Sequence, residues 1–379
     1  MTHPIPLSLY IHFPWCIQKC PYCDFNSHAL KTPIAEEQYL KRLLEDLQQS
    51  LPYVDNRPLQ SIFMGGGTPS LFSSHSIGYL LTEINKHLAF SSSIEITLEA
   101  NPGTLEEGKF RGFFDAGINR LSLGIQSFHP EHLKKLGRIH DSQDAITAIK
   151  AAIKAGFSNF NLDLMHGLPN QTPTQAMHDL KQALVFEPPH LSWYQLTIEP
   201  NTLFYKTKPH LPTDDILATI QEQGENLLAQ HHYDHYEVSA FAKNNQVSQH
   251  NINYWQFGDY LGIGAGAHEK LTDASTNTII RRARMRQPKD YLDMTKSMIA
   301  ENKIVTTEQL SFEFMMNALR LHQPIHRTLF ETRTGLAWET IRPTLQIAAD
   351  KELLQFDEQK IIVTALGQKF LNDLLALFL

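Results

Sequence analysis

Six short β-rich runs, at 7–13, 60–64, 94–100, 120–125, 160–165 and 191–198, alternate with amphipathic stretches at 35–51, 77–88, 105–114, 142–155, 173–186 and 216–230. The first kind reads as strands, and the second repeats its apolar residues every 3.6 positions, as crossover helices do. A helix between two strands returns the chain to the end it left, so consecutive strands run parallel. The series therefore predicts an α/β fold on one parallel sheet, either a complete or partial barrel or a doubly wound layer. Both place function at the carboxyl ends of the strands. The residues with special chemistry fall there: Cys16, Cys20 and Cys23 after the first run, Gly65-Gly66-Gly67-Thr68-Pro69 after the second, and Glu99 and Asp163 at the ends of the third and fifth.

Composition sets the outer limits. A 42% hydrophobic fraction over 379 residues supplies ample core, and 33 basic against 40 acidic side chains give 33 − 40 = −7. That balance offers no global attraction for nucleic acid or an anionic membrane. No apolar run reaches the roughly 18 residues of a membrane span, and the opening segment lacks a basic n-region and a small-residue cleavage site, so a cytoplasmic protein is expected.

The chain has three cysteines, all within residues 16–23. An odd, tightly clustered set is no disulfide framework. Clustered thiolates select zinc, copper(I) or an iron–sulfur cluster. Zinc would need a fourth protein ligand, His12 or His28, and its usual paired spacing is absent. Four irons on three cysteines leave one iron open to an external ligand.

Cys16-x3-Cys20-x2-Cys23 after a first strand, with Tyr22 before the third cysteine, resembles the signature of radical S-adenosylmethionine proteins. The segments Tyr10 to Cys16, Gly65 to Ser70, Leu98 to Pro102, Leu123 to Phe128 and Asp163 to Pro169 narrow the resemblance to the oxygen-independent coproporphyrinogen III oxidase group, across nearly the whole chain. The resemblance implies a partial six-unit barrel and a [4Fe–4S] cluster on Cys16, Cys20 and Cys23. It also implies S-adenosylmethionine contacts from Tyr10, Gly66, Gly67, Thr68, Glu99, Gln126, Arg138 and Asp163. Each role is physically reasonable. Glycines at 66 and 67 would let the backbone approach a ligand, Glu99 and Asp163 accept hydrogen bonds, and Arg138 pairs with a carboxylate.

The group contains an oxidase branch and a heme-chaperone branch. The oxidases carry a fourth cysteine two positions after the third, where this chain has Phe25, and a longer segment before the cysteine loop. His250-Asn251-x-x-Tyr254-Trp255 resembles a motif of the chaperone branch instead. The expected function is therefore a heme chaperone and not a working coproporphyrinogen oxidase. A radical decarboxylase and a zinc-binding interaction module stand as alternatives. The implied partners are heme and a heme-acceptor protein, a membrane-bound respiratory protein being one candidate; a homodimer is allowed and no nucleic acid is expected.

His250 can be an axial heme ligand with Tyr254 and Trp255 as flat porphyrin contacts, or a core histidine among packed aromatics. The resemblance favours the first. Arg281, Arg282, Arg284 and Arg286 form the one dense basic run, expected as a solvated strand face, with heme propionates as the functional alternative. Gly262-x-Gly264-x-Gly266 is too short for a dinucleotide fingerprint and reads as a strand-end turn. The expected organisation is a barrel over 1–241, a less regular connector over 242–301 and a winged-helix-like domain over 302–379. Residues 301–379 hold eight basic and ten acidic side chains, a balance unsuited to DNA.

Overall fold

The computed structural model describes residues 5–103, 108–273, 276 and 278–379. One sheet of twelve strands organises it: β1 (Leu7–Phe13), β2 (Leu59–Gly66), β3 (Phe90–Ala100), β4 (Arg120–Gln126), β5 (Phe160–His166), β6 (His190–Gln195), β7 (Asp234–Glu237), β8 (Ala240–Ala242), β9 (Asp259–Ile263), β10 (His268–Asp273), β11 (Thr278–Arg284) and β12 (Ile299–Ile304). Their order is β12-β11-β10-β9-β1-β2-β3-β4-β5-β6-β8-β7. The six expected strands pair in parallel in sequence order, and β9 joins β1 in parallel on its other side. The ladder does not close, so the barrel is partial. Its strands are buried on both faces, β4 along its whole length, as crossover helices on a parallel sheet require.

Of the helix expected over 105–114, residues 105–107 lie outside the described residues, and the described helix runs Phe110–Asp115. The segment expected to be irregular, 242–301, contains the regular strands β9, β10 and β11 and the start of β12, with β10 to β12 as antiparallel extensions of the sheet. Periodicity does not reveal them because they are short and rich in polar residues. The turn after β9 is the glycine run: Gly264 has φ +103°, and a Cβ there would stand 2.3 Å from the His12 carbonyl oxygen.

The arginine run is not a solvated face. Arg284 is 0% and Arg282 5% exposed, because the helix Glu36–Ser50 covers that side of β11. Arg284 Nε donates to Asp46 Oδ1 at 2.7 Å and its Nη2 to Ser50 Oγ at 3.1 Å. Arg282 and Arg284 both ion-pair with Glu269 of β10. On the opposite face Arg281 pairs with Glu313 at 2.6 Å. These charges join the sheet extension to the barrel and to the C-terminal region.

That region follows helix, strand, helix, helix, strand, strand, with β13 (Ile325–His326), β14 (Leu354–Phe356) and β15 (Lys360–Val363) in the order β13-β15-β14. This is winged-helix connectivity. The chain ends in two short helices, Ala365–Lys369 and Leu371–Ala376, broken where Phe370 leaves helical geometry. Phe257 and Ile279 of the preceding segment pack into the C-terminal apolar cluster. Among the described residues no helix is long and apolar enough to cross a membrane.

Candidate functional site at the carboxyl ends of the strands

A cavity of about 930 Å³ opens at the carboxyl ends of the parallel strands and extends along the open side of the barrel. The cysteine loop lies across its mouth. Pairing of Trp15–Cys16 with His28–Ala29 closes the neck of the loop. Asn26 is its inner anchor. Its Nδ2 donates to the Ala265 and Arg286 carbonyls at 2.9 and 2.8 Å, and its own carbonyl accepts from His12 Nε2 at 2.9 Å. Tyr10 donates to His12 Nδ1 at 3.0 Å. Burial holds the His12 pKa down to about 4, so the ring stays neutral with both nitrogens engaged. His12 is thereby unavailable as a fourth zinc ligand, and His28 Nε2 faces the Arg286 carbonyl at 3.3 Å.

Cys16, Cys20 and Cys23 all line the cavity. Burial pushes the Cys16 and Cys23 thiols up, partly offset by the Thr68 and Ser27 hydroxyls for Cys16 and by Ser27 for Cys23. A metal would displace those protons. Arg138 Nη1 stands 3.7 Å from Cys20 Sγ, while its Nη2 donates to Asn101 Oδ1 at 2.5 Å and the Gly124 carbonyl at 2.8 Å. A fixed cation thus sits beside a thiol.

The glycine strand end serves the cysteine loop directly. Gly67 N–H donates to the Phe13 carbonyl and Thr68 N–H to the Trp15 carbonyl, both at 2.7 Å. A Cβ on Gly67 would lie 2.4 Å from Trp15 O and 2.7 Å from Phe13 O; one on Gly66, at φ +107°, would lie 2.4 Å from the His12 ring. Both glycines are therefore also required by the protein's own chain, at the root of the cysteine loop, while they line the cavity.

Below the loop the cavity carries buried carboxylates. Glu99 Oε2 accepts the Gly66 N–H at 3.2 Å, and burial, then the neighbouring Asp163 charge, pushes its pKa up to about 8. Asp163 is raised chiefly by burial, opposed by Ser122 and Asn161, which donate to it at 2.9 and 2.8 Å. Gln126 ends β4 at φ +69° and accepts from Tyr194 at 2.9 Å. The far wall holds Asn251, Tyr254 and Trp255, with Glu237 and Arg320. The Arg320 guanidinium lies 5.1 Å from the centre of the Trp255 ring, and burial pushes Glu237 up to about 7. Phe25, 59% exposed, stands on the rim with Ile17 and Ile139.

The structure thus brings ten of the expected residues to one cavity: Cys16, Cys20, Cys23, Gly66, Gly67, Thr68, Glu99, Gln126, Arg138 and Asp163. Two stand apart from its lining. Tyr10 lies in the barrel interior, holding His12. His250 is 6% exposed; its Nδ1 lies 3.1 Å from Ser61 Oγ, its ring packs on Phe63, and burial with the Arg120 charge holds its pKa down to about 3. The histidine of the 250–255 motif is a hydrogen-bonded core residue here, and its Asn, Tyr and Trp are the ones that face the cavity.

Asn101, Asn161 and Ser122 also line or brace the site without having been among the expected residues. Asn161 carried a signal, because a residue two positions from Asp163 on one strand shares its face. Arg320 had no such signal, since it arrives from a distant part of the chain.

A curled parallel sheet with three cysteines at its mouth and buried carboxylates beneath defines a protein of the radical S-adenosylmethionine class. Residues 10–183 match the Radical SAM superfamily, and residues 305–370 match the HemN C-terminal domain. The chain is 51% identical over 378 residues to the heme chaperone HemW of Haemophilus influenzae (99% of this chain, 98% of that protein). It is 49% identical over 374 residues to HemW of Escherichia coli, with the same coverage. Coproporphyrinogen III oxidase (HemN) from Escherichia coli, a solved radical SAM enzyme, shares the fold at TM-score 0.83 and 23% identity, covering 99% of this chain and 90% of that one. The chain belongs to the HemW family.

Proposed function

We propose that the protein is a heme chaperone that binds heme and passes it to an acceptor protein, with a [4Fe–4S] cluster and S-adenosylmethionine at the cavity mouth. The observation that carries this is the joining, in one cavity, of three loop cysteines and two buried carboxylates with the aromatic wall of Tyr254 and Trp255. Cys16, Cys20 and Cys23 would hold the cluster, which supplies an open iron for the amino and carboxylate groups of S-adenosylmethionine. Gly66, Gly67 and Thr68 brace the loop. Glu99, Asp163 and Gln126 offer hydrogen-bond acceptors to a polar, cationic ligand, and Arg138 places positive charge beside Cys20. Tyr10 acts through His12 as a positioning residue. Tyr254 and Trp255 offer flat apolar surface to a porphyrin, with Arg320 beside them for a propionate.

In this proposal residues 1–241 carry the cofactor site, 242–301 the aromatic wall, and 302–379 Arg320 and a face for the acceptor. We place the protein in the cytoplasm and name a membrane-bound respiratory protein as one acceptor to test. Phe25, at the position of the oxidases' fourth cysteine, supports chaperone over decarboxylase.

The test is anaerobic reconstitution with iron and sulfide, metal analysis, heme titration, and transfer to an apo-acceptor. About four irons per chain with saturable heme binding is expected, and Cys20→Ala should lose the iron while keeping the fold. Stoichiometric zinc without iron, or robust decarboxylation of coproporphyrinogen III, would overturn the proposal.

A further inference from the structure

A second group of ligand-type side chains lies outside the cavity. His129, in the segment that leaves β4, faces His178 and Asp179 on the helix Pro173–Leu184, and one ligand atom from each lies within 4.8 Å of the others. The two imidazole rings are 4.6 Å apart at their centres. Asp179 is 1% exposed and held from both sides: Oδ2 accepts the Ser127 hydroxyl and Oδ1 the Phe128 N–H, each at 2.7 Å. Ser127 Oγ in turn accepts the His129 N–H at 3.0 Å. His129 Nε2 is buried without a hydrogen-bond partner, and so is Nδ1 of His132, whose ring lies edge-on to His129 at 5.4 Å.

A buried ring nitrogen left without a partner is unfavourable, and here it stands next to a second imidazole and an oriented carboxylate. Two imidazoles and one carboxylate are a donor set of zinc and similar divalent ions, with water in the remaining position. The bonds from Ser127 and Phe128 to Asp179 are the outer support such ligands normally have. Ligand bonds of about 2.0–2.1 Å put neighbouring tetrahedral donors roughly 3.3 Å apart. Closing from the present separation takes a side-chain rotation, and His178 is exposed and free to make it.

We propose that His129, His178 and Asp179 form a binding site for one divalent transition-metal ion, with zinc the best match, distinct from the cysteine loop. Its position gives it a structural consequence. Asp179 fixes the two residues after Gln126, and Gln126 lines the cavity at φ +69°. An ion there locks the end of β4 to the helix that covers it.

The test uses cluster-reconstituted protein, in which the thiols are occupied, washed with EDTA and titrated anaerobically with zinc. One ion per chain should bind with a Kd of roughly 1 µM or tighter, and zinc-edge X-ray absorption should show a nitrogen and oxygen shell with imidazole scattering. His178→Ala, a change at an exposed position, should weaken binding at least about tenfold while leaving iron content and zinc-free Tm unchanged. Asp179→Asn should weaken it as well. No stoichiometric binding at 100 µM zinc (roughly a hundred times that Kd), a sulfur shell, or wild-type affinity in His178→Ala would each overturn the site.

Discussion

Gly67→Ala separates two accounts of the glycine strand end. If these glycines admit S-adenosylmethionine, the variant should keep its cluster and lose only cosubstrate affinity. The structure argues otherwise, because the added Cβ meets Trp15 O at 2.4 Å and Phe13 O at 2.7 Å, and both carbonyls belong to the root of the cysteine loop. Overpacking of that kind costs about 1–3 kcal/mol. Relief by moving the loop would lengthen the Gly67 to Phe13 and Thr68 to Trp15 hydrogen bonds, each worth about 0.5–1.5 kcal/mol. The total is about 2–6 kcal/mol, a shift of more than tenfold in the equilibrium between the native loop and a displaced one. The expected result is therefore loss of the cluster itself. Iron and sulfide per chain after anaerobic gel filtration should fall well below wild type, with secondary structure retained by circular dichroism. Wild-type iron content combined with weakened S-adenosylmethionine binding would refute the reasoning and restore the ligand as the reason for the glycine.

Glu99, with its pKa pushed up to about 8, is protonated at neutral pH in the ligand-free cavity. A cationic ligand favours the carboxylate, so binding below pH 8 releases a proton and affinity falls up to about tenfold per pH unit on going down. Calorimetry on cluster-loaded protein should show this slope in wild type and a flat profile in Glu99→Gln; a flat wild type counts against the carboxylate. His250→Ala should lower Tm through loss of the Ser61 contact, about 1–3 kcal/mol, while the folded fraction keeps the wild-type Soret band. A shifted Soret band at unchanged Tm would make His250 the heme ligand. Arg284→Ala leaves the buried Asp46 without its arginine and Glu269 with Arg282 alone, and should cost about 3–5 kcal/mol, read as a Tm drop, with heme affinity per folded chain unchanged. Weakened heme binding at unchanged Tm would return the arginine run to the propionates.

Local pattern determined a good deal of this protein. The alternation of strand and helix periods laid out the six parallel strands, because each period reports which face of an element is buried. Spacing alone put the three cysteines in one loop, and their positions after successive strands brought Glu99, Gln126 and Asp163 to the same end of the sheet. What only the tertiary structure decided depends on partners distant in the chain. Arg282 and Arg284 read as surface charges until the helix carrying Asp46 and Ser50 covers them. His250 reads from the sequence as a ligand or a core residue, and only the fold buries it and places Ser61, 189 positions away, beside its Nδ1. Gly67 reads as room for a ligand, and only the fold shows that Trp15 and Phe13 need the same absence of a Cβ. Burial and hydrogen-bond pairing are properties of a neighbourhood. In a fold whose sheet brings residue 7 beside residue 259, that neighbourhood is assembled from segments whose one-dimensional patterns carry no record of each other.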